Sequence, residues 1–282
     1  MQAMRRVGFT LIEVLVVIGI VALLAGLLFP VLRSVREQAR ATVCQSHIRE
    51  ISLILCQYET DNGTFPYAYR SKAIRNLKII ANYLDPAGLW WIDLIGQDLI
   101  PEPYVLHTSI LECPSKRYQT TEFKYNLYWG NYGVNWSILR SPTAAVAFWE
   151  YRGTPLSLGR IRYPSQTLLI ADSGYALLGW SHTLAQDGPP LDADGFDVFD
   201  HSYIPGASVN PRRDLWPAQE ADALEGRHPG GTVNVGYVDG HVERRKADDL
   251  LVTEAANGEM TNVSPLWKPK GQRAYVNPTL SN

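Results

Sequence analysis

Between Glu13 and Arg33 the chain runs for 19 residues, VLVVIGIVALLAGLLFPVL, with no charge and no strong hydrogen-bonding side chain. As a helix this run extends about 28 Å at about 1.5 Å per residue, close to the hydrocarbon thickness of a bilayer. A helix in a soluble core keeps a polar face, and this one has none. A secretory signal peptide places small residues at a cleavage site after its apolar run. Leu23-Leu24-Ala25 fits that rule poorly, and apolar residues continue to Leu32. The run therefore predicts a membrane-spanning helix. Glu13 is the only charged side chain from Val7 to Leu32. A carboxylate inside such a span costs about 2.5–3.5 kcal/mol on insertion scales, so it needs a function and a partner.

The residues around that carboxylate carry a resemblance. Arg5-Arg6-Val7-Gly8-Phe9-Thr10-Leu11-Ile12-Glu13 resembles the processing signal of type IV prepilins and of the pseudopilins of type II secretion. The resemblance implies that a prepilin peptidase/methyltransferase cuts after Gly8 and methylates the new amino terminus at Phe9. Glu13 is then the fifth mature residue and Pro30 the twenty-second, the positions at which the family has Glu and Pro. It further implies other pilin-like subunits, an inner-membrane assembly platform and its ATPase as partners. The implied location is the bacterial inner membrane, crossed once, with the carboxy-terminal domain periplasmic or extracellular in a filament.

Elementary chemistry agrees with these roles. Gly8 has no side chain, so a protease can approach its backbone closely. Once Phe9 carries a free amine, Glu13 lies one helical turn away in the same apolar setting, where a buried charge is tolerable only if paired. A neighbouring subunit's amine meeting Glu13 would set the axial register of a filament. Pro30 lacks an N–H and predicts a kink or a locally melted turn. Arg33, Arg36 and Arg40 follow the span closely, against a simple count of positive charges, and the processing signal decides the orientation.

Beyond the span, Leu32, Val35, Ala39 and Val43, and later Ile51, Ile54, Leu55 and Tyr58, recur at three- and four-residue steps. They predict that the same helix leaves the membrane and lays an apolar stripe on a domain. Asp61-Asn62-Gly63 is a stop signal, with Pro66 just beyond. Residues 71–100 read as one or two short helices. After 105, AAVAFWEY, TLLIADS and TVNVGYV read as strands that follow Pro142, Pro164 and Gly231. The expected fold is α+β, a long amino-terminal helix packed on an antiparallel sheet. Its expected divisions are a leader at 1–8, a transmembrane and polymerisation helix at 9–32 and the helix's soluble half at 33–62. A globular domain at 63–262 and a loosely ordered tail at 263–282 complete the chain. Cys113-Pro114-Ser115 and Arg227-His228-Pro229-Gly230-Gly231 through Val238-Asp239-Gly240-His241-Val242 resemble the H-X9-DG prepilin-associated domain. Here ten residues, not nine, separate His228 from Asp239, an offset that a strand bulge would absorb.

The remaining candidate sites have bland readings beside them. With 26 Lys+Arg against 28 Asp+Glu, no bulk charge favours nucleic acid, and Arg212-Arg213 with Arg244-Arg245-Lys246 is too small a basic set. Asp239-Gly240 reads as a hairpin turn, which places His228 far along a strand from Asp239 and His241 and argues against a shared catalytic site. Asp187, Asp192, Asp194, Asp197 and Asp200 crowd one stretch without Lys or Arg. Asp192, Asp194, Asp197 and Asp200 suit Ca²⁺, which related major pseudopilins hold in a late loop, although the spacing is not that of an EF-hand. Cys44 and Cys56 on one helix lie about 18 Å apart, beyond the about 7 Å that a disulfide spans. Within the chain only Cys113 with Cys44 or Cys56 is open to bridging. No C-x-x-C, H-E-x-x-H, G-x-S-x-G or phosphate loop points to an enzyme. The expected function is a structural pilin-like subunit. The alternative is a membrane-tethered binding or enzymatic domain that uses a prepilin leader without polymerising.

Overall fold

The computed structural model describes residues 10–71, 88–96, 110–117, 127–142, 151–183, 202–212, 215, 217–254 and 260–268. Its longest element is α1 (Leu11–Asn62), one helix of 52 residues. Thr10 opens it with a capping box: its side chain accepts from the Glu13 N–H, while the Glu13 carboxylate accepts from the Thr10 N–H. Gly63 closes it in the left-handed conformation at φ 76°, its N–H donating to Glu59 O at 2.7 Å. The helix passes through Pro30 unbroken. The melted turn expected there does not form in the single chain, although Pro30 offers no N–H to the Gly26 carbonyl.

The domain is α+β, as expected. Strands β1 (Tyr69–Ser71) and β2 (Gly88–Trp90) stand apart from the main sheet, whose five strands are β3 (Tyr132–Asn135), β4 (Leu168–Asp172), β5 (Leu177–Leu178), β6 (Thr232–Tyr237) and β7 (Val242–Lys246). Their order across the sheet is β5-β3-β4-β6-β7. Neighbours run antiparallel except β3 and β5, which pair in parallel. Strands expected from TLLIADS and TVNVGYV are β4 and β6, whereas AAVAFWEY falls mostly outside the described residues. β1 and β2 pair antiparallel with each other, followed by the short helix Trp91–Gly96. The bulge suggested by the extra residue before Asp239 lies in the partner strand instead: pairing shifts between Leu168 and Ile170 of β4. The β6–β7 register is regular, and the turn Val238-Asp239-Gly240 joins them with Gly240 at φ 86°.

The carboxy-terminal half of α1 lies across β4, β6 and β7. Its buried residues are Ala41, Cys44, Ile48, Ile51, Ser52 and Leu55. Full burial of each of Ile48, Ile51 and Leu55 contributes about 1.5–3 kcal/mol. This is a different face, starting later, from the stripe expected at Leu32, Val35, Ala39 and Val43. All four are exposed: Leu32, Val35 and Ala39 precede Ala41, where the buried face begins, and Val43 points away from that face. Ile51 and Leu55 belong to both stripes. The closest approach is at Gly236 of β6, where a Cβ would stand 2.5 Å from Ser52 Oγ and 2.8 Å from Ile48 Cγ2. Gly236 is therefore the groove in which the helix sits.

On the other side of the sheet the segment 263–268 docks rather than trailing loosely. Trp267 is fully buried and donates from Nε1 to Leu250 O at 3.0 Å, and its carbonyl accepts from Asn135 Nδ2. The rest of the expected tail, from 269, lies outside the described residues.

Filling the Gly236 groove should lift the helix. Gly236→Ala is expected to lower the stability of the detergent-solubilised chain by about 1–3 kcal/mol, the usual cost of overpacking. Pairing it with Ser52→Gly should recover part of the loss. Chemical denaturation of the three proteins measures both effects, and an unchanged midpoint for Gly236→Ala would show that the helix is not seated there.

Candidate functional site

Two regions of α1 carry the functional chemistry. The first is the amino-terminal half. From Thr10 to Arg36 no residue is buried, and Leu11, Ile12, Leu23, Leu27 and Phe29 are each more than 60% exposed. Within it, residues 14–32 are apolar all round, with no face that a soluble chain could present to water. Contiguous apolar surface on a monomer rarely exceeds a few hundred Å² unless it meets a membrane or a protein. The helix is long and apolar enough to cross a membrane, and none of its most apolar stretch is buried. Within it the Glu13 carboxylate accepts from the Thr10 N–H at 2.8 Å and from Thr10 Oγ1 at 2.7 Å. Pro30 lies within the same exposed half, while Gly8 and Phe9 lie outside the described residues.

Comparison with known proteins reads the same segment. The family described as "Prokaryotic N-terminal methylation motif" matches residues 4–29. The chain's amino-terminal segment is similar to that of type II secretion and type IV pilus proteins. It is 41% identical over 66 residues to the type II secretion system core protein G of Pseudomonas aeruginosa, covering 23% of this chain and 46% of that one. The corresponding protein of Aeromonas hydrophila is 41% identical over 66 residues, again 23% and 46% of the two chains. The type IV wide pilus major component PilA4 of Thermus thermophilus is 40% identical over 58 residues, 21% of this chain and 44% of that one. The chain thus spans a little under half the length of the curated relatives it matches. No solved structure matches it.

The second region is a buried polar layer beneath the point where α1 leaves the sheet. Alternation along β4 puts Ile170 and Asp172 on the helix side. Asp172 Oδ2 accepts from the Asn234 N–H at 2.7 Å and lies 3.1 Å from His228 Nε2. Asn234 Nδ2 in turn donates to Ala41 O of α1. Cys44 of α1 reaches Cys113, with 2.8 Å between the sulfurs. Cys113 comes from the loop 110–117, pinned where its N–H donates to Asn131 Oδ1 at 3.0 Å. Of the two partners open to Cys113 in the sequence, Cys44 is therefore the one beside it, whereas Cys56 faces Val238 O at 3.4 Å.

Next to His228, Arg227 is fully buried and fully occupied. Its guanidinium donates to both oxygens of Asp222 and to the Asn131 and Ser173 carbonyls at 2.6 Å each. Asp222 also accepts from Tyr203 Oη at 2.7 Å. The helix Pro217–Glu225 supplies Asp222, and Gly226, at φ 73°, turns the chain so that Arg227 folds back over it. Burial works against the charge on His228, yet the Asp172 carboxylate beside it pushes the imidazole up to about 10. Burial likewise works against Asp172, and His228 with Arg227 outweighs it, holding the carboxyl below its usual range. Burial drives the Cys113 thiol well up. The layer is thus an ion pair beside the protonated Cys113 thiol.

His228 and Asp239 do not meet, in keeping with the turn expected at Asp239-Gly240. Asp239 and His241 contact each other at 2.5 Å in the exposed β6–β7 turn, where the His241 ring stacks on Tyr237. The Asp-rich stretch, with Asp192, Asp194, Asp197 and Asp200, lies outside the described residues. Sequence reading missed the gathering of Cys44, Cys113, Asp172 and His228. The motif around His228 was the one available signal, and nothing in the spacing linked it to Asp172.

Asp222→Ala would leave the Arg227 charge buried without its carboxylate. We expect a loss of about 3–5 kcal/mol, and recovery of most of it when Arg227 is also replaced by Met. Denaturant titration of the single and double variants measures this, and a near-neutral single variant would contradict it.

Proposed function

We propose that the protein is a structural, non-enzymatic subunit, a pseudopilin or minor pilin. It is made as a precursor, processed between Gly8 and Phe9 by a prepilin peptidase/methyltransferase, and held in the inner membrane by residues 9–32 of the helix. From there it is drawn into a type II secretion or type IV pilus-like filament by an assembly platform and its ATPase, with its domain outside the cytoplasm. The observation that carries this reading is the exposed apolar half of α1, which bears a single carboxylate at Glu13.

Two kinds of support converge on it. The matched methylation motif covers the cleavage point and the start of the helix. The similar proteins are named as a pilus component and as secretion system core proteins. The Thr10–Glu13 box adds a chemical step. In a lone subunit the Thr10 N–H and hydroxyl keep the carboxylate satisfied while it waits in lipid. On assembly a neighbour's Phe9 amine, carrying a full positive charge, would take over one of those contacts, because a charge-assisted bond is about twice as strong as a neutral one. Pro30, which leaves the Gly26 carbonyl without its ladder partner, is the point at which the helix would give way when subunits pack.

Glu13→Ala should leave processing, membrane insertion and the exported domain intact, since removing a carboxylate makes the helix easier to keep in lipid. Filament incorporation should fall by at least about 10-fold, the effect of losing roughly 1.4 kcal/mol of coupling. Immunoblotting of sheared filaments against membranes reads the ratio directly. Wild-type yield from Glu13→Ala would move the register elsewhere, and absence of the wild-type chain from any sheared fraction would favour a tethered domain that never polymerises.

A further inference from the structure

We propose that Cys44, Cys113, Asp172 and His228 form a structural zinc site that fastens the helix to the domain. The four side chains come from α1, the loop 110–117, the end of β4 and the segment before β6, and all are buried. One ligand atom from each lies within 4.8 Å of every other. A tetrahedral Zn²⁺ ion with sulfur at about 2.3 Å and nitrogen or oxygen at about 2.0–2.2 Å holds its ligands roughly 3.3–3.8 Å apart. The cluster is of that size, and the sulfurs, now 2.8 Å apart, need only separate a little.

Unmet bonding points the same way. Asp172 Oδ1 and His228 Nδ1 are buried without a hydrogen-bond partner, and His228 Nε2 meets Asp172 Oδ2 at 3.1 Å outside hydrogen-bond geometry. Buried polar atoms are nearly always satisfied. A disulfide between Cys44 and Cys113, the other chemistry open to the sulfurs, would leave the carboxylate oxygen and the imidazole as they are. A metal ion satisfies the carboxylate, one imidazole nitrogen and both sulfurs at once.

The donor set selects the metal. Two thiolates, an imidazole and one carboxylate suit zinc, whereas Ca²⁺ and Mg²⁺ require an all-oxygen shell. Four protein ligands in a closed, buried position leave no place for substrate, which makes the site structural. An outer layer already orients the ligands. The Asn234 N–H holds Asp172 Oδ2, and Asn131 Oδ1 holds the Cys113 backbone. Binding releases the two thiol protons and the proton shared by His228 and Asp172, and leaves a net charge of −1 among the ligands and metal. The bond network then joins the helix to both the sheet and the loop 110–117 at the last turn before α1 becomes free of the domain.

The test uses the full chain, extracted in detergent from membranes of cells supplied with zinc. Metal content by plasma emission and intact mass under denaturing, non-reducing conditions are measured on the same sample. The proposal expects one zinc per chain, a mass with all cysteines reduced, and a lower melting temperature after chelation that added Zn²⁺ restores. Replacing the metal with Co²⁺ should give a thiolate-to-cobalt absorption band, lost in Cys44→Ser. His228→Ala should weaken zinc binding beyond the about 10–100-fold typical of an outer-layer change. Wild-type protein two hydrogens lighter, its thiols joined and no zinc bound, would overturn the proposal in favour of a Cys44–Cys113 disulfide. Free thiols without zinc after exposure to the ion would overturn it as well.

Discussion

One contact surface decides how this molecule divides its work: the seat of α1 on the sheet from Ala41 to Leu55. From Val14 to Leu32 the helix is apolar on every side and unburied, and between there and Ala41 it meets the domain through Ser115, which donates to Glu37 at 3.4 Å. Downstream it is amphipathic and buries Ile48, Ile51 and Leu55 against β4 and β6. One helix joins the two halves, its ladder lacking only the hydrogen bond that Pro30 cannot donate to Gly26, so the amino-terminal half is tied to the domain through the seat. Whatever holds the seat therefore holds the domain to the exposed apolar half of the helix.

The seat depends on close approach rather than bulk. Gly236 lets Ser52 and Ile48 sit directly over the strand, and Ala41 lets its carbonyl accept from Asn234. Close-packed surfaces of this kind tolerate little change in volume. At the Ala41 end of the seat the packing becomes polar, with Asp172, His228, Arg227 and Asp222 all buried. Hydrophobic contact alone would allow the helix to slide along the sheet. The directional bond from Asn234 to the Ala41 carbonyl of α1 favours one register, while Arg227 ties the segments around Asn131 and Ser173 together beneath it. The cysteines lie at this point because it is where the helix, the loop 110–117 and the strand end converge.

Several elements could be read from the sequence because their causes are local. The end of α1 follows from Gly63, and β4, β6 and the β6–β7 turn follow from apolar runs closed by Asp239-Gly240. The span follows from 19 residues without charge. The buried face of α1 was harder to place, since half of it is Ala41, Cys44 and Ser52, small residues that a search for large apolar side chains passes over. Strand β3, YGVN, and its parallel partner β5 are short and owe their state to neighbours distant in the chain. The buried cluster was illegible for the same reason: its members span residues 44 to 228, and only the fold brings them together. The docking of Trp267 reverses the expectation for a Pro-rich ending, because one large ring finding a cavity outweighs a segment's lack of periodicity.

The central claim is that the apolar half of α1 remains on the mature protein as its amino terminus, serving as anchor and assembly surface. Amino-terminal sequencing with intact mass of the protein purified from membranes tests this most directly. The account predicts a chain that starts at Phe9 and carries one methyl group on its amine. A chain that starts at Met1 or Met4, or one that begins beyond Ala25 as after signal-peptide removal, would contradict it.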